Sequence, residues 1–149
     1  MSKIEGMDEL LIVLSSLGVD IKEPCRNALE RSAKKIQKNA KMMAPVDKGQ
    51  LRNSIKTDSK INQDSIEAEV YTNVEHAAYV EFGTGQRGRE SNIDRPEGIN
   101  YKADWKGQSA QPYMTPAYLY AKNNGDVEQE ITKSLQEEIR KYGGKWWII

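Results

Sequence analysis

Apolar residues recur at helical spacing through the first third of the chain, and the pattern then changes twice. Leu10, Val13, Leu14 and Leu17 form one stripe, so Gly6–Leu17 reads as a short amphipathic helix closed by Gly18. A longer helix is predicted from about Lys22 to Met43. Cys25, Leu29, Ser32, Ala33, Ile36, Ala40 and Met43 share one face, and Arg31, Lys34, Lys35, Lys38 and Lys41 fall on the other. Pro45 disfavours helical geometry at Ala44, so the helix should stop there and Pro45–Gly49 should turn.

The period then shortens to two. Leu51–Ile61 and Ile66–Thr72 read as antiparallel strands around Asn62-Gln63-Asp64, with Ile66, Ala68 and Val70 alternating with Glu67, Glu69 and Tyr71. One face of that sheet should be buried and the other wet. Glu75–Phe82 reads as a helical turn. Gln86–Gln111 is long, polar and rich in Gly, Arg, Asn and Ser, and is expected to be a loop that orders only against neighbours.

Helical spacing returns after Thr115-Pro116, which resembles an N-cap followed by proline at the first helical position. An interruption is expected at Asn124-Gly125. Beyond it, Asp126–Tyr142 places Val127, Ile131, Leu135, Ile139 and Tyr142 on one stripe, and Gly143-Gly144 ends it. These stripes need a common apolar partner. The prediction is an α+β domain, amphipathic helices packed on a small, mainly antiparallel sheet. Ile36, Ala40, Leu51, Ile55, Val70, Phe82, Ile131 and Leu135 should share one core. The whole chain, 1–149, reads as a single domain with a polar loop at 86–111 and an apolar tail at 145–149.

Composition narrows the function classes. No apolar run approaches the ~20 residues of a membrane-spanning helix, so no membrane partner is expected. One cysteine, Cys25, allows no internal disulfide, and synthesis in the cytosol is the simplest reading. Cys25 lies on an apolar helix face and reads as core filler. The chain has a single histidine, His76, which excludes multi-histidine metal sites. No metal, cofactor or catalytic residue is expected.

Basic and acidic residues number 22 each, yet residues 21–60 hold eleven Lys/Arg against four Asp/Glu, a net of +7. That asymmetry suits an anionic partner, self-association of unlike faces, or a solvated helix face. The basic face could touch phosphates, but no aromatic residues interleave with its lysines for stacking.

Gly83-Thr84-Gly85-Gln86-Arg87-Gly88 matches G-x-G-x-x-G literally, with Asp104 at about the distance of a ribose-binding acid. A dinucleotide site also needs a strand before the glycines and a helix start after them. Arg89–Asn100 contains Pro96 and Gly98 and shows no helical stripe, so a nucleotide site is rejected. Gly83 and Gly85 instead fit a tight exit from an ordered element just past Phe82.

Three separated segments carry a family resemblance. Ala44-Pro45-Val46-Asp47-Lys48-Gly49-Gln50-Leu51-Arg52-Asn53-Ser54-Ile55 resembles an "AP-x-DTG-x-LR-x-SI" segment, with Lys48 in place of threonine. Ala78-Tyr79-Val80-Glu81-Phe82-Gly83-Thr84-Gly85 is similar to "YA-x-YVEFGTG", and Gln111-Pro112-Tyr113-Met114-Thr115-Pro116-Ala117 to "QPFL-x-PA". In order and spacing these resemble the siphophage head–tail joining family, also called neck or tail-completion proteins.

The resemblance implies an α+β subunit of the ring between head and tail. It would be made in the bacterial host cytoplasm and built into the virion. Its partners would be other copies of itself and neighbouring head-connector and tail proteins, with DNA only as passing cargo. No catalytic residue is implied, so the motif residues should hold the fold. Pro45 and Gly49 would set the helix-to-strand turn, and Leu51 and Ile55 would point into the core, with Asp47, Arg52 and Ser54 beside them in the motif. Phe82 would anchor the loop, within a motif that also holds Tyr79, Glu81, Gly83, Thr84 and Gly85. Pro112 and Pro116 would bracket the start of the last helix.

Interface candidates are Arg31, Lys34, Lys35, Lys38, Lys41, Arg87, Arg89, Trp146 and Trp147. Of these, Arg31, Lys34, Lys35, Lys38 and Lys41 would face acidic stretches including Glu128, Glu130, Glu137 and Glu138 on a neighbour. Rival readings are a tail terminator or minor tail protein of the same fold, and more distantly a DNA-binding accessory protein.

Overall fold

A computed structural model describes residues 20–46, 49–63 and 65–141, together with Ile12, Leu14, Ser16 and Gly18. Among them the order is α1 (Lys22–Met43), α2 (Gln50–Ser54), β1 (Lys56–Ile61), β2 (Ile66–Tyr71), α3 (Ala77–Phe82), α4 (Gly85–Glu90), α5 (Met114–Asn123) and α6 (Asp126–Lys141). The fold is α+β, as the alternating periods imply. Of the expected N-terminal helix, Ile12, Leu14 and Ser16 are helical, and Gly18 turns at φ 70°.

α1 begins where the Asp20 carboxylate accepts the Lys22 N–H at 3.0 Å and ends before Pro45. Its last bond runs from the Ala44 N–H to the Ala40 carbonyl at 2.8 Å. Ala44 takes the buried place at the end of the stripe, and Met43 is exposed. α6 starts after Gly125, whose φ of 70° breaks it from α5. Asp126 and Glu128 occupy its first turn and Arg140 and Lys141 its last, matching the helix dipole. The tail from Tyr142 to Ile149, including Trp146 and Trp147, lies outside the described residues, as do Asp47 and Lys48.

The sheet is the small antiparallel pair expected, β1 with β2, closed by the Asn62 N–H on the Ser65 carbonyl at 2.7 Å. The predicted strand at Leu51–Ile61 starts only at Lys56, because Gln50–Ser54 is a turn of helix. Gly49, at φ 73°, reverses the chain, and its carbonyl accepts the Asn53 N–H at 2.9 Å. Leu51 and Ile55 lie four apart, so a single turn buries both on one side. β1 and β2 do alternate, with Thr57, Ser59, Ile61, Ile66, Ala68 and Val70 half-buried.

The single core expected from the stripes divides between two compact units. One comprises residues 1–34, 57–69 and 121–149, the other 35–56 and 70–120. In the first, Leu14, Leu135 and Ile139 are fully buried, with Ile21, Cys25 and Ile131 packed against them. Burial pushes the Cys25 thiol pKa up. In the second, Ile36, Ala40, Ala44, Leu51, Ile55, Ala77, Tyr113 and Ala117 are buried. Val70 and Phe82 are only half-buried, contrary to their expected core role. A helix of 22 residues is about 33 Å long, enough for the two halves of one stripe to serve different clusters.

Candidate functional site

The second and third motif segments meet through one carboxylate. α3 carries Glu81, which is 5% exposed. Its Oε2 accepts the backbone N–H groups of Tyr113 at 2.8 Å and Met114 at 3.0 Å, and its Oε1 that of Thr115 at 2.8 Å. These are among the donors that an α-helix leaves unpaired at its start. Glu81 thus caps α5 from a distance, with its charge at the positive end of the helix dipole. This corrects the expected local cap at Thr115. α5 already begins at Met114, and Pro112 and Pro116, both half-buried, flank that start.

Tyr113 is 1% exposed, and its phenol donates to the Ala77 carbonyl at 3.3 Å. Burial, with the Glu81 charge adding to it, pushes the phenol pKa up to about 12.

Glycines fasten the polar loop to the end of α3. Gly83 (φ 75°) and Gly107 (φ 65°) lie against backbone, and a Cβ on Gly107 would come within 2.0 Å of the Thr84 carbonyl oxygen. The Thr84 N–H donates to the Gln108 carbonyl at 2.9 Å, and the Gln108 N–H returns to Thr84 O at 3.1 Å. The Tyr101 hydroxyl donates to the Phe82 carbonyl at 2.9 Å. The Arg95 guanidinium lies 5.3 Å from the Tyr101 ring centroid and donates to the carbonyls of Gly88, Arg89 and Ser91. The segment 86–111 therefore has order of its own, against expectation. Backbone and guanidinium hydrogen bonds supply what its side chains lack in apolar area. Phe82 anchors it through its carbonyl rather than its ring.

The glycine run does open a helix, α4, which the sequence did not reveal. It follows a helix, however, and not a strand. The N–H groups of Gln86, Arg87 and Gly88 already donate to the carbonyls of Trp105, Lys106 and Thr84. A pyrophosphate would have to displace all three.

The first motif segment joins the same unit. The Gln37 amide donates to the Ile55 carbonyl at 2.7 Å, tying α1 to the end of α2. Ser54 Oγ lies 2.6 Å from both the Leu51 carbonyl and Thr72 Oγ1. Pro45 is half-buried beside the exposed Val46. Arg52, on α2, has a buried Nε that finds no acceptor among the described residues.

Of the interface candidates, Lys34, Lys35, Lys38, Arg87 and Arg89 are exposed and Lys41 half-buried. Arg31 is engaged within its own chain. Its Nε donates to Glu130 Oε2 at 2.8 Å and its terminal nitrogen to Ser134 Oγ. The expected contact of Arg31 and Glu130 with a neighbour is therefore corrected.

Sequence reasoning named Tyr79 only as a motif residue and missed that it is exposed (60%), together with Trp105 (51%), Tyr118 and Tyr120. Tyr79 and Trp105, with Phe82, Pro96, Ile99 and Tyr101, line a cavity of about 530 Å³. Only the spacing of Tyr118 and Tyr120, off the buried face of α5, was visible beforehand. Among the described residues, no three His, Cys, Asp or Glu side chains group as metal ligands, and no helix is long and apolar enough to cross a membrane.

Residues 8–83, just over half of the chain, match the model of the HK97-gp10-like family, described as "Bacteriophage HK97-gp10, putative tail-component". The chain belongs to this bacteriophage tail-component family. No curated protein and no solved structure matches it.

Proposed function

We propose that the protein is a ring-forming subunit at the junction of phage head and tail, acting by assembly and not by catalysis. The observation that carries this reading is the convergence of three ordered motif segments in one compact unit. Their order and spacing resemble the head–tail joining family, and Glu81 knits the second and third together. Exposed lysines on α1 and exposed aromatics on the other elements suit repeated protein contacts, because large exposed apolar groups mark interaction surfaces. Its partners would be copies of itself and the adjoining connector and tail proteins. It would be made in the host cytoplasm and end in the virion, with DNA passing as cargo.

The family's own description, a tail component, favours a second reading as a tail terminator or minor tail protein. Imaging and sedimentation of the purified full chain at rising concentration test the ring. Closed rings support it, and a single-subunit species at every concentration overturns it. Immunogold labelling of virions separates the two readings, at the neck or along the tail.

A further inference from the structure

Residues 35–56 carry six cations, Lys35, Lys38, Lys41, Lys48, Arg52 and Lys56, against one acid, Asp47. Three of them, Lys38, Lys41 and Arg52, meet around an open cleft of about 530 Å³ that Gln37 and Met42 complete. None of the three forms an ion pair among the described residues. One wall of the cleft is tied down, because the Gln37 amide donates to the Ile55 carbonyl at 2.7 Å. Arg52 is half-buried, and its Nε is shielded from water with no acceptor. A buried donor without a partner costs stability, so its retention needs an explanation. An incoming oxygen would satisfy it, and a carboxylate suits a guanidinium fork best.

The cleft wall argues for protein over nucleic acid. Met42 is 70% exposed, and Met43 and Val46 are exposed beside it in sequence. Methionine and arginine are enriched where proteins meet, whereas phosphate-binding surfaces are polar and positive throughout.

This chain also carries the complementary charge. Residues 57–69 hold four acids, Asp58, Asp64, Glu67 and Glu69, against Lys60. Lys60 pairs with Glu67 at 3.4 Å, and Asp58 and Glu69 are exposed on the same hairpin. We propose that the Lys38–Lys41–Arg52 cleft of one copy receives the acidic β1–β2 hairpin of the next. The contact joins two different faces, as a closed ring requires. This proposal rests on the ring reading above.

A charge swap in the full-length protein tests it, with assembly read by sedimentation. Lys38→Glu with Lys41→Glu should weaken self-association at least about tenfold, the size of a close interfacial charge coupling. Asp58→Lys with Glu69→Lys should do the same. An equimolar mixture of the two variants should recover a mixed contact, and the fourfold variant should assemble again. Thermal melts show whether each variant folds. If wild type forms rings and the swaps leave them unchanged, the cleft assignment is overturned while the ring reading stands. If each swap weakens assembly but neither combination restores it, the hairpin is not the occupant. If the Lys38/Lys41 variant instead loses only salt-sensitive duplex DNA binding, nucleic acid takes the cleft and the proposal fails. If wild type never associates, the ring reading and this proposal fall together.

Discussion

The carboxylate of Glu81 accepts the backbone N–H of Tyr113 at 2.8 Å across 32 positions of sequence, and that bond joins two of the three motif segments. Two more N–H groups share the same carboxylate. Glu81→Ala would leave three donors at the start of α5 without a partner. Hydrogen bonds to a charged group contribute about 1.5–3 kcal/mol each, and they do not add fully. The expected loss is about 3 kcal/mol or more, read from denaturant unfolding. Glu81→Gln keeps an acceptor oxygen and should lose less. Equal loss in both variants would show that the charge matters more than the acceptor count.

Glycine substitutions separate close approach from backbone strain. Gly98 and Gly107 both have positive φ, 87° and 65°. A Cβ at Gly98 meets nothing within 4 Å, whereas at Gly107 it would press into the Thr84 carbonyl. Gly98→Ala should therefore cost about 1–2 kcal/mol from conformation alone. Gly107→Ala should cost clearly more and loosen the 86–111 segment. Hydrogen exchange at the Thr84 and Gln108 amides checks this, and equal protection in both variants would count against the clamp.

Tyr113 predicts a loss of stability in alkali. Its phenol pKa is raised from 10.0 to about 12 in the folded chain, so folding favours the neutral form. The corresponding stability is fully present below pH 10 and declines as pH rises through 10 toward about 12. Ultraviolet titration should show one late-ionising phenol that Tyr113→Phe removes. The variant's stability should fall less steeply over that window.

Leu135 is fully buried against Leu14 and Ile139. Leu135→Ala should cost about 2–5 kcal/mol. Phe82→Ala should cost less than a fully buried phenylalanine would, because its ring is half-buried and its loop contact runs through the backbone. Thermal melts of the two variants side by side decide the ranking.

What could be read beforehand followed from periodicity. α1, α6, β2 and the break at Gly125 repeat at 3.6 or 2 residues, and local stop signals bound them. Leu51–Ser54 misled because Leu51 and Ile55 fit one face of a strand or one turn of a helix equally well. The Gly49 backbone decided between them. The division of the core was hidden because a stripe shows which side of a helix is buried and not against what. The Glu81 cap was hidden for a different reason. A glutamate in a short apolar segment looks like an outward charge until the chain closes and brings three N–H groups to it. Order in 86–111 likewise rests on backbone bonds, which leave no hydrophobic trace. In the interface set, Lys34, Lys35 and Lys38 were legible as exposed, but the pairing of Arg31 with Glu130 spans 99 positions and was not.

The clamp at Gly83 and Gly107 also fixes where this protein can be handled. The ends of the long segment are locked, while Gly98, midway along it, stands in open space between exposed Glu97 and half-buried Ile99. A short epitope inserted beside Gly98, or a fluorophore-bearing cysteine in place of exposed Glu97, would leave the clamp and the Glu81 cap untouched, because changes are best borne at exposed tips whose flanks are held. The segment thus carries its own attachment point for marking the subunit inside an assembled particle.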